Sequence, residues 1–290
     1  MSQTSNNWVT KVILVLASLV LVGVSIAPII ATFTNAQDLQ GANKTSTAPN
    51  SSQSENQTSK LADEVRGYEL VLQREPENRI ALEGLLKARL QLLSLKQGDI
   101  KGVIEPLEKL AKLNPEETRY AILLGQAKQQ MGDREGAALA FRTILQTKPG
   151  DLDALRAMVT LLLEQKRPEA AVGLLQDTLK AAPQANKIQP GSINTVAVQV
   201  LLGNIHASEK RYSQALEAYD TAIKTDKQDF RPVLAKAMLL KEQGKTEEAK
   251  PLFDTAASLA PAQYKDEINQ QAIAQPTPSS TPTPSSSPGQ

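Results

Sequence analysis

The chain has 290 residues, with 32 Lys and Arg against 31 Asp and Glu and a formal net charge of +1. It carries no cysteine and one histidine, which excludes disulfide frameworks, thiolate metal sites, iron–sulfur clusters and cysteine nucleophiles. The near-neutral balance argues against nucleic-acid binding, which needs a basic excess to neutralise phosphates.

Residues 1–36 read as an N-terminal membrane anchor. Val12 to Phe33 is an uncharged, mostly aliphatic run of 22 residues, and as a helix it would span about 33 Å, enough to cross a hydrocarbon core of roughly 30 Å. Trp8 and Lys11 stand before it as interfacial anchors. The rival reading is a cleaved secretory signal ending near Thr34-Asn35-Ala36, whose apolar region would normally be about 7–15 residues long. The length favours a retained single-pass anchor in the lipid bilayer. Lys11 before the run leans towards an inner N-terminus and a translocated C-terminal domain.

Residues 37–60 are rich in Ser, Asn, Gln and Thr and read as a flexible polar linker. Residues 275–290, QPTPSSTPTPSSSPGQ, lack charge and large apolar side chains. They read as a disordered Pro/Ser/Thr tail.

Between these ends, from 61 to 274, the apolar pattern is helical and it repeats. Ala137, Ala171, Ala215 and Ala249 each stand four residues before a large side chain: Phe141, Leu175, Tyr219 and Phe253. Ala137 and Ala171 are 34 apart, as are Ala215 and Ala249; Pro115, Pro149 and Pro183 keep the same step, and Pro261 closes the last unit. Asn186 to Thr195 reads as a ten-residue insertion between the second and third of these alanines. Gly98-Asp99, Gly132-Asp133 and Gly244-Lys245 are the expected turns between paired helices, and extra residues near Leu93–Gln97 lengthen one first helix. Lys60 to Arg74, before Pro76, reads as the second helix of a truncated first unit, and Ala262 to Ala274 as a capping helix. Each terminal proline is expected to stop the helix before it.

These markers resemble those of the tetratricopeptide repeat (TPR) family, with Leu124-Gly125, Ala137, Phe141 and Pro149 matching best. The resemblance implies an all-α fold: a right-handed superhelical solenoid of about five helix-turn-helix units, preceded here by one transmembrane helix. It also implies a concave groove lined by each unit's first helix. The family's groove positions fall on Ile122, Gln126, Gln129, Arg156 and Thr160, then on Val200, Asn204, Leu234, Met238 and Lys241. Asn204 matches one position of a carboxylate clamp found in some members, but Val200 stands where that clamp needs lysine. Glutamate at Val200, Leu234 and Met238 is expected to abolish partner capture with helicity intact. His206 falls at a packing position of a first helix.

No catalytic, cofactor-binding or metal-binding set is legible, and no small-molecule substrate is implied. The sequence therefore reads as a non-enzymatic scaffold or assembly factor binding partner proteins through the groove. Anchor, spacer, repeats and tail together resemble membrane-anchored TPR proteins of thylakoid biogenesis in cyanobacteria and chloroplasts. That likeness implies a role in photosynthetic membrane biogenesis or chlorophyll synthesis. The alternatives are a structural component of a secretion or envelope complex, and an enzyme subunit.

Overall fold

The computed structural model describes residues 51–274, so the predicted anchor (1–36), the first part of the linker and the tail (275–290) lie outside the described residues. The described residues form two compact units, split between Asn194 and Thr195. The first holds α1 (Ser51–Arg74), α2 (Arg79–Ser94), a 3-10 turn (Ile100–Val103), α3 (Ile104–Leu113), α4 (Thr118–Gln130), α5 (Arg134–Thr147), α6 (Leu152–Glu164) and α7 (Pro168–Ile188). The second holds α8 (Thr195–Ser208), α9 (Tyr212–Thr225), α10 (Phe230–Glu242), α11 (Thr246–Leu259) and α12 (Ala262–Ile273). Among the described residues there is no strand, and none of these helices is long and apolar enough to cross a membrane.

The repeated residues build the core. Ala137, Ala171, Ala215 and Ala249 are buried, as are Phe141, Leu175, Tyr219 and Phe253. A small side chain lets the second helix approach the first, and the large side chain one turn later fills the space between them. The fit is tightest at two glycines. A Cβ added to Gly125 would lie 2.3 Å from the Phe141 ring, and one added to Gly203 would lie 2.3 Å from the Tyr219 ring. Gly125 and Phe141 stand almost symmetrically about the turn at 132–133, which fixes α4 and α5 as an antiparallel hairpin.

Every turn within a helix pair closes in the same way. After α4, the Gly132 amide donates to the Gln129 carbonyl and the Asp133 amide to the Lys128 carbonyl, both at 2.9 Å. The same pair of bonds recurs at Lys96 and Gln97, Lys166 and Arg167, Lys210 and Arg211, and Gly244 and Lys245. This closure places one residue in the left-handed region. Gly132 and Gly244 take that place with φ 82° and 76°, whereas Lys96, Lys166 and Lys210 take it with φ 58°, 57° and 59°. The expected Gly98-Asp99 turn is thus displaced. The left-handed residue is Lys96, because α2 ends at Ser94 and the closure fixes its position two residues on. Asp99 instead caps the 3-10 turn, accepting the Lys101 amide at 2.9 Å.

The three lysines give a direct test. Left-handed backbone costs a residue with a Cβ about 1–2 kcal/mol, while glycine's extra freedom in the unfolded chain costs about 0.4–1 kcal/mol. The first effect is larger, so Lys166→Gly should stabilise the first unit by about 0.5–1 kcal/mol, read as a higher urea midpoint at unchanged slope.

Two further boundaries differ from the sequence reading. Helix α1 begins at Ser51, so residues 51–60 of the expected linker are helical. Ser, Gln, Glu and Asn cost only tenths of a kcal/mol each when they extend an existing helix, and buried Leu61 pins this one. Helix α7 runs through Pro183 to Ile188, so this proline does not stop its helix. Ala182 is buried beside it, and Asn186 ties the following loop down. Its Oδ1 accepts the Ile193 amide at 2.8 Å, and its Nδ2 donates to the Ile193 carbonyl at 2.9 Å. Part of the insertion therefore lengthens α7 and the rest is a stitched loop.

Candidate functional site: the first-helix faces

In the first unit the expected groove residues lie on α4 and α6, and all five are half-buried: Ile122, Gln126, Gln129, Arg156 and Thr160. Their neighbours fix the row. Gln129 Nε2 donates to Glu164 Oε2 at 2.6 Å, joining α4 to α6. At the other end of the same pair, Thr118 Oγ1 donates to Asp151 Oδ2 at 2.8 Å. Arg156 pairs with Asp153 at 3.3 Å. The row is then an aliphatic side chain, amides and a hydroxyl, bordered by the Arg156–Asp153 ion pair and by carboxylates held by the Gln129 amide and the Thr118 hydroxyl.

A polar network beside this row went unread in the sequence. Arg79 Nε pairs with Glu83 at 2.8 Å and Arg79 Nη2 with Glu117 at 2.7 Å, bridging α2 to the residue that precedes α4. Tyr120, fully buried, donates its hydroxyl to Glu83 at 2.7 Å, and Arg119 lies 4.6 Å from the centre of the Tyr120 ring. Burial pushes the Glu83 carboxyl up, but the bonds from Tyr120 and Arg79 outweigh it and hold the group below its ordinary value. Burial and the Glu83 bond push the Tyr120 hydroxyl up. The Arg79–Glu83 spacing of four was the one signal available beforehand.

The second unit treats its expected residues differently. Val200 and Leu234 are each only 5% exposed, so both belong to the packing rather than to an open groove. Helix α8 carries aliphatic side chains on nearly every face, and Val200 joins Val196 and Ala222 in a buried cluster. Leu234 is among the buried residues of α10, with Val233 and Ala237. Asn204 is half-buried, and its Oδ1 accepts the Tyr219 hydroxyl at 2.8 Å. It serves the core, and burial pushes that hydroxyl far above the usual tyrosine value. Met238 stays half-exposed. Lys241 Nζ donates to the carbonyls of Gln271 and Ala272, the latter at 3.0 Å. His206 is buried. Among the described residues, no three acidic or histidine side chains gather into a metal-binding group.

Comparison with known proteins agrees with this architecture. Tetratricopeptide repeat families match at residues 129–189, 196–229 and 232–263. The chain carries tetratricopeptide repeats. The protein SLOW GREEN 1, chloroplastic, of Arabidopsis thaliana is 28% identical over 192 residues, covering 66% of this chain and 58% of that protein. Cellulose synthase operon protein C of Pseudomonas fluorescens is 31% identical over 113 residues, covering 37% of this chain. The chain spans only 9% of the length of the Pseudomonas relative and 58% of the Arabidopsis one. Among solved structures, a thermophilic TPR protein of Thermus thermophilus matches with 17% identity and a TM-score of 0.41. That match covers 67% of this chain and 100% of the other. PilF of Pseudomonas aeruginosa matches with 20% identity and a TM-score of 0.42, covering 69% and 88% respectively. Repeats of this kind are scaffolds suited to protein–protein interaction, and the half-exposed row on α4 and α6 lies on their first helices.

Proposed function

We propose that this protein is a non-enzymatic scaffold or assembly factor, anchored in a membrane by Val12–Phe33, that holds a segment of a partner protein on the first-helix face of its repeats. The observation that carries the reading is the α4–α6 row. Ile122, Gln126 and Thr160 are half-buried there, Arg156 is paired with Asp153, and Glu164 is tied to the Gln129 amide. A row of this composition suits an uncharged or mixed-charge peptide. The length and lack of charge of Val12–Phe33 support the anchor. The likeness to a chloroplastic relative supports a setting in photosynthetic membranes, thylakoid or plasma membrane of a cyanobacterium. There the partner would be a chlorophyll-synthesis enzyme or a membrane complex under assembly.

Affinity purification of the full-length protein from detergent-solubilised membranes tests the reading. The wild type should recover a defined partner, and Ile122→Glu with Gln126→Glu should reduce recovery at least tenfold with unchanged helical circular dichroism. Unchanged recovery would remove the α4–α6 row from the proposal. In the same membranes, an alkaline carbonate wash should leave the intact chain in the pellet, and release to the supernatant would remove the anchor.

A further inference from the structure

Helix α1 is the first described helix of the first unit, and its two sides differ. One side carries Leu61, Val65, Tyr68 and Leu72, at the spacing of a single helical stripe. Leu61 is buried, Leu72 packs against the core shared by α2, α3 and α4, and the Tyr68 ring lies against Gly84 of α2. The opposite side carries Asp63, Gly67, Leu70 and Arg74, again one stripe by spacing, and all four are exposed. Leu70 keeps 61% of its surface in solvent.

Two features of this outer stripe do nothing for the chain's own fold. Glycine is the least favourable residue after proline in a helix interior. In three first helices it is kept where a ring lies against it: Gly84 under Tyr68, Gly125 under Phe141 and Gly203 under Tyr219. A Cβ on Gly67 would meet nothing within 4 Å. Gly173 of α7 is open as well, but it is half-buried and has Gln176 three residues on where α1 has Leu70. The second feature is charge. Asp63 pairs with Arg66 of its own helix, and both side chains are well exposed, a contact that contributes little in water. Arg74 stands exposed in the last turn.

The order acid, glycine, leucine, base is self-complementary. Laid antiparallel about a two-fold axis midway between residues 67 and 70, two such stripes interlock. Leu70 of each chain enters the gap over Gly67 of the other, and Arg74 of each reaches Asp63 of the other. Beside them Val71, 40% exposed, meets the aliphatic stem of Arg66. A parallel pair would instead set Asp63 against Asp63 and Arg74 against Arg74. Charge therefore selects the antiparallel arrangement.

We propose that two copies of this chain associate through the outer stripe of α1, antiparallel, with Leu70 seated over Gly67 and Arg74 paired with Asp63. About three helical turns from each chain make a contact smaller than that of permanent dimers, so the association is reversible. No residue of the α4–α6 row belongs to this stripe, so the dimer and the partner reading stand or fall separately.

Sedimentation equilibrium of the full-length chain in density-matched detergent reads the state directly. The wild type should pass from one chain to two as its concentration rises. Asp63→Arg and, separately, Arg74→Asp set like charges together, and each should weaken association at least tenfold. Mixed in equal amounts, these two variants should associate with each other at wild-type strength, because each supplies the charge that the other lacks. Gly67→Leu fills the gap and should weaken association at least tenfold with helical circular dichroism undiminished, which separates loss of pairing from loss of fold. A wild type that stays a single chain would leave this face to some other partner and overturn the proposal. So would a dimer unchanged by Gly67→Leu or by the single charge reversals, or one that the mixed variants fail to restore.

Discussion

Gly203→Ala should destabilise the second unit by about 2–3 kcal/mol, read as a lowered urea midpoint. In an ordinary helix interior the same change would stabilise by about 1 kcal/mol, since alanine is the better helix former. Here the new Cβ would lie 2.3 Å from Tyr219 Cε1 and 2.7 Å from Cδ1. The ring cannot give way easily, because it is fully buried and its hydroxyl is bound to Asn204. Overpacking therefore exceeds the propensity gain and sets the sign. Tyr219→Leu in the same chain should recover part of the loss, because a shorter side chain leaves room for the methyl group. A double-mutant cycle with no coupling between the two positions would show that the close approach is not the cause.

Val200→Glu and Leu234→Glu should each cost about 4–5 kcal/mol and unfold much of the second unit, with loss of far-UV circular dichroism. The lost apolar burial accounts for about 1.5–3 kcal/mol, and placing a carboxyl among Val196 and Ala222 supplies the rest in the case of Val200. The pH dependence has a definite sign. Burial raises the carboxyl's folded pKa above its unfolded value of about 4.3. The penalty is therefore smallest below that pH, where both states are protonated, and it grows as the pH rises and the unfolded state gains the charge. Met238→Glu, on a half-exposed side chain, should cost no more than about 1 kcal/mol. Equal effects at Val200 and Met238 would contradict the burial pattern. The contrast also revises what such variants can say about partners. Lost capture in Val200→Glu or Leu234→Glu would report unfolding, and only the half-exposed positions report binding.

The spacing of Ala137, Phe141 and Pro149 and their counterparts foretold the helix pairs closely, because close packing between two helices tolerates few residue types at those points. The capping helix at Ala262 was legible from the uninterrupted run that follows Pro261, although only Ile268 of it is buried. The left-handed lysines were not. The turn is fixed by two backbone hydrogen bonds, and these form whether the residue is glycine or lysine. Pro183 misled because a proline's local cost is a few kcal/mol at most, and packing around Ala182 with the Asn186 bonds offsets it. The groove positions were legible as helix register but not as exposure. Register says which way Val200 points, while burial depends on the helices laid across it. Lys241 shows the limit most clearly: nothing near it in the sequence tells that its partners lie 30 and 31 residues on.

The stitched loop after α7 bears on how this chain can change over generations. Asn186 holds Ile193 through both its amide and its carbonyl, and Ser192 Oγ also bonds to the Asn186 side chain, at 3.1 Å. Gaining or losing one residue between them would break all three bonds together and expose Ile193, now 2% exposed. Ordinary loops drift in length one residue at a time. The three bonds favour keeping or removing this one whole, so homologues are expected to differ here by the entire insertion more often than by part of it.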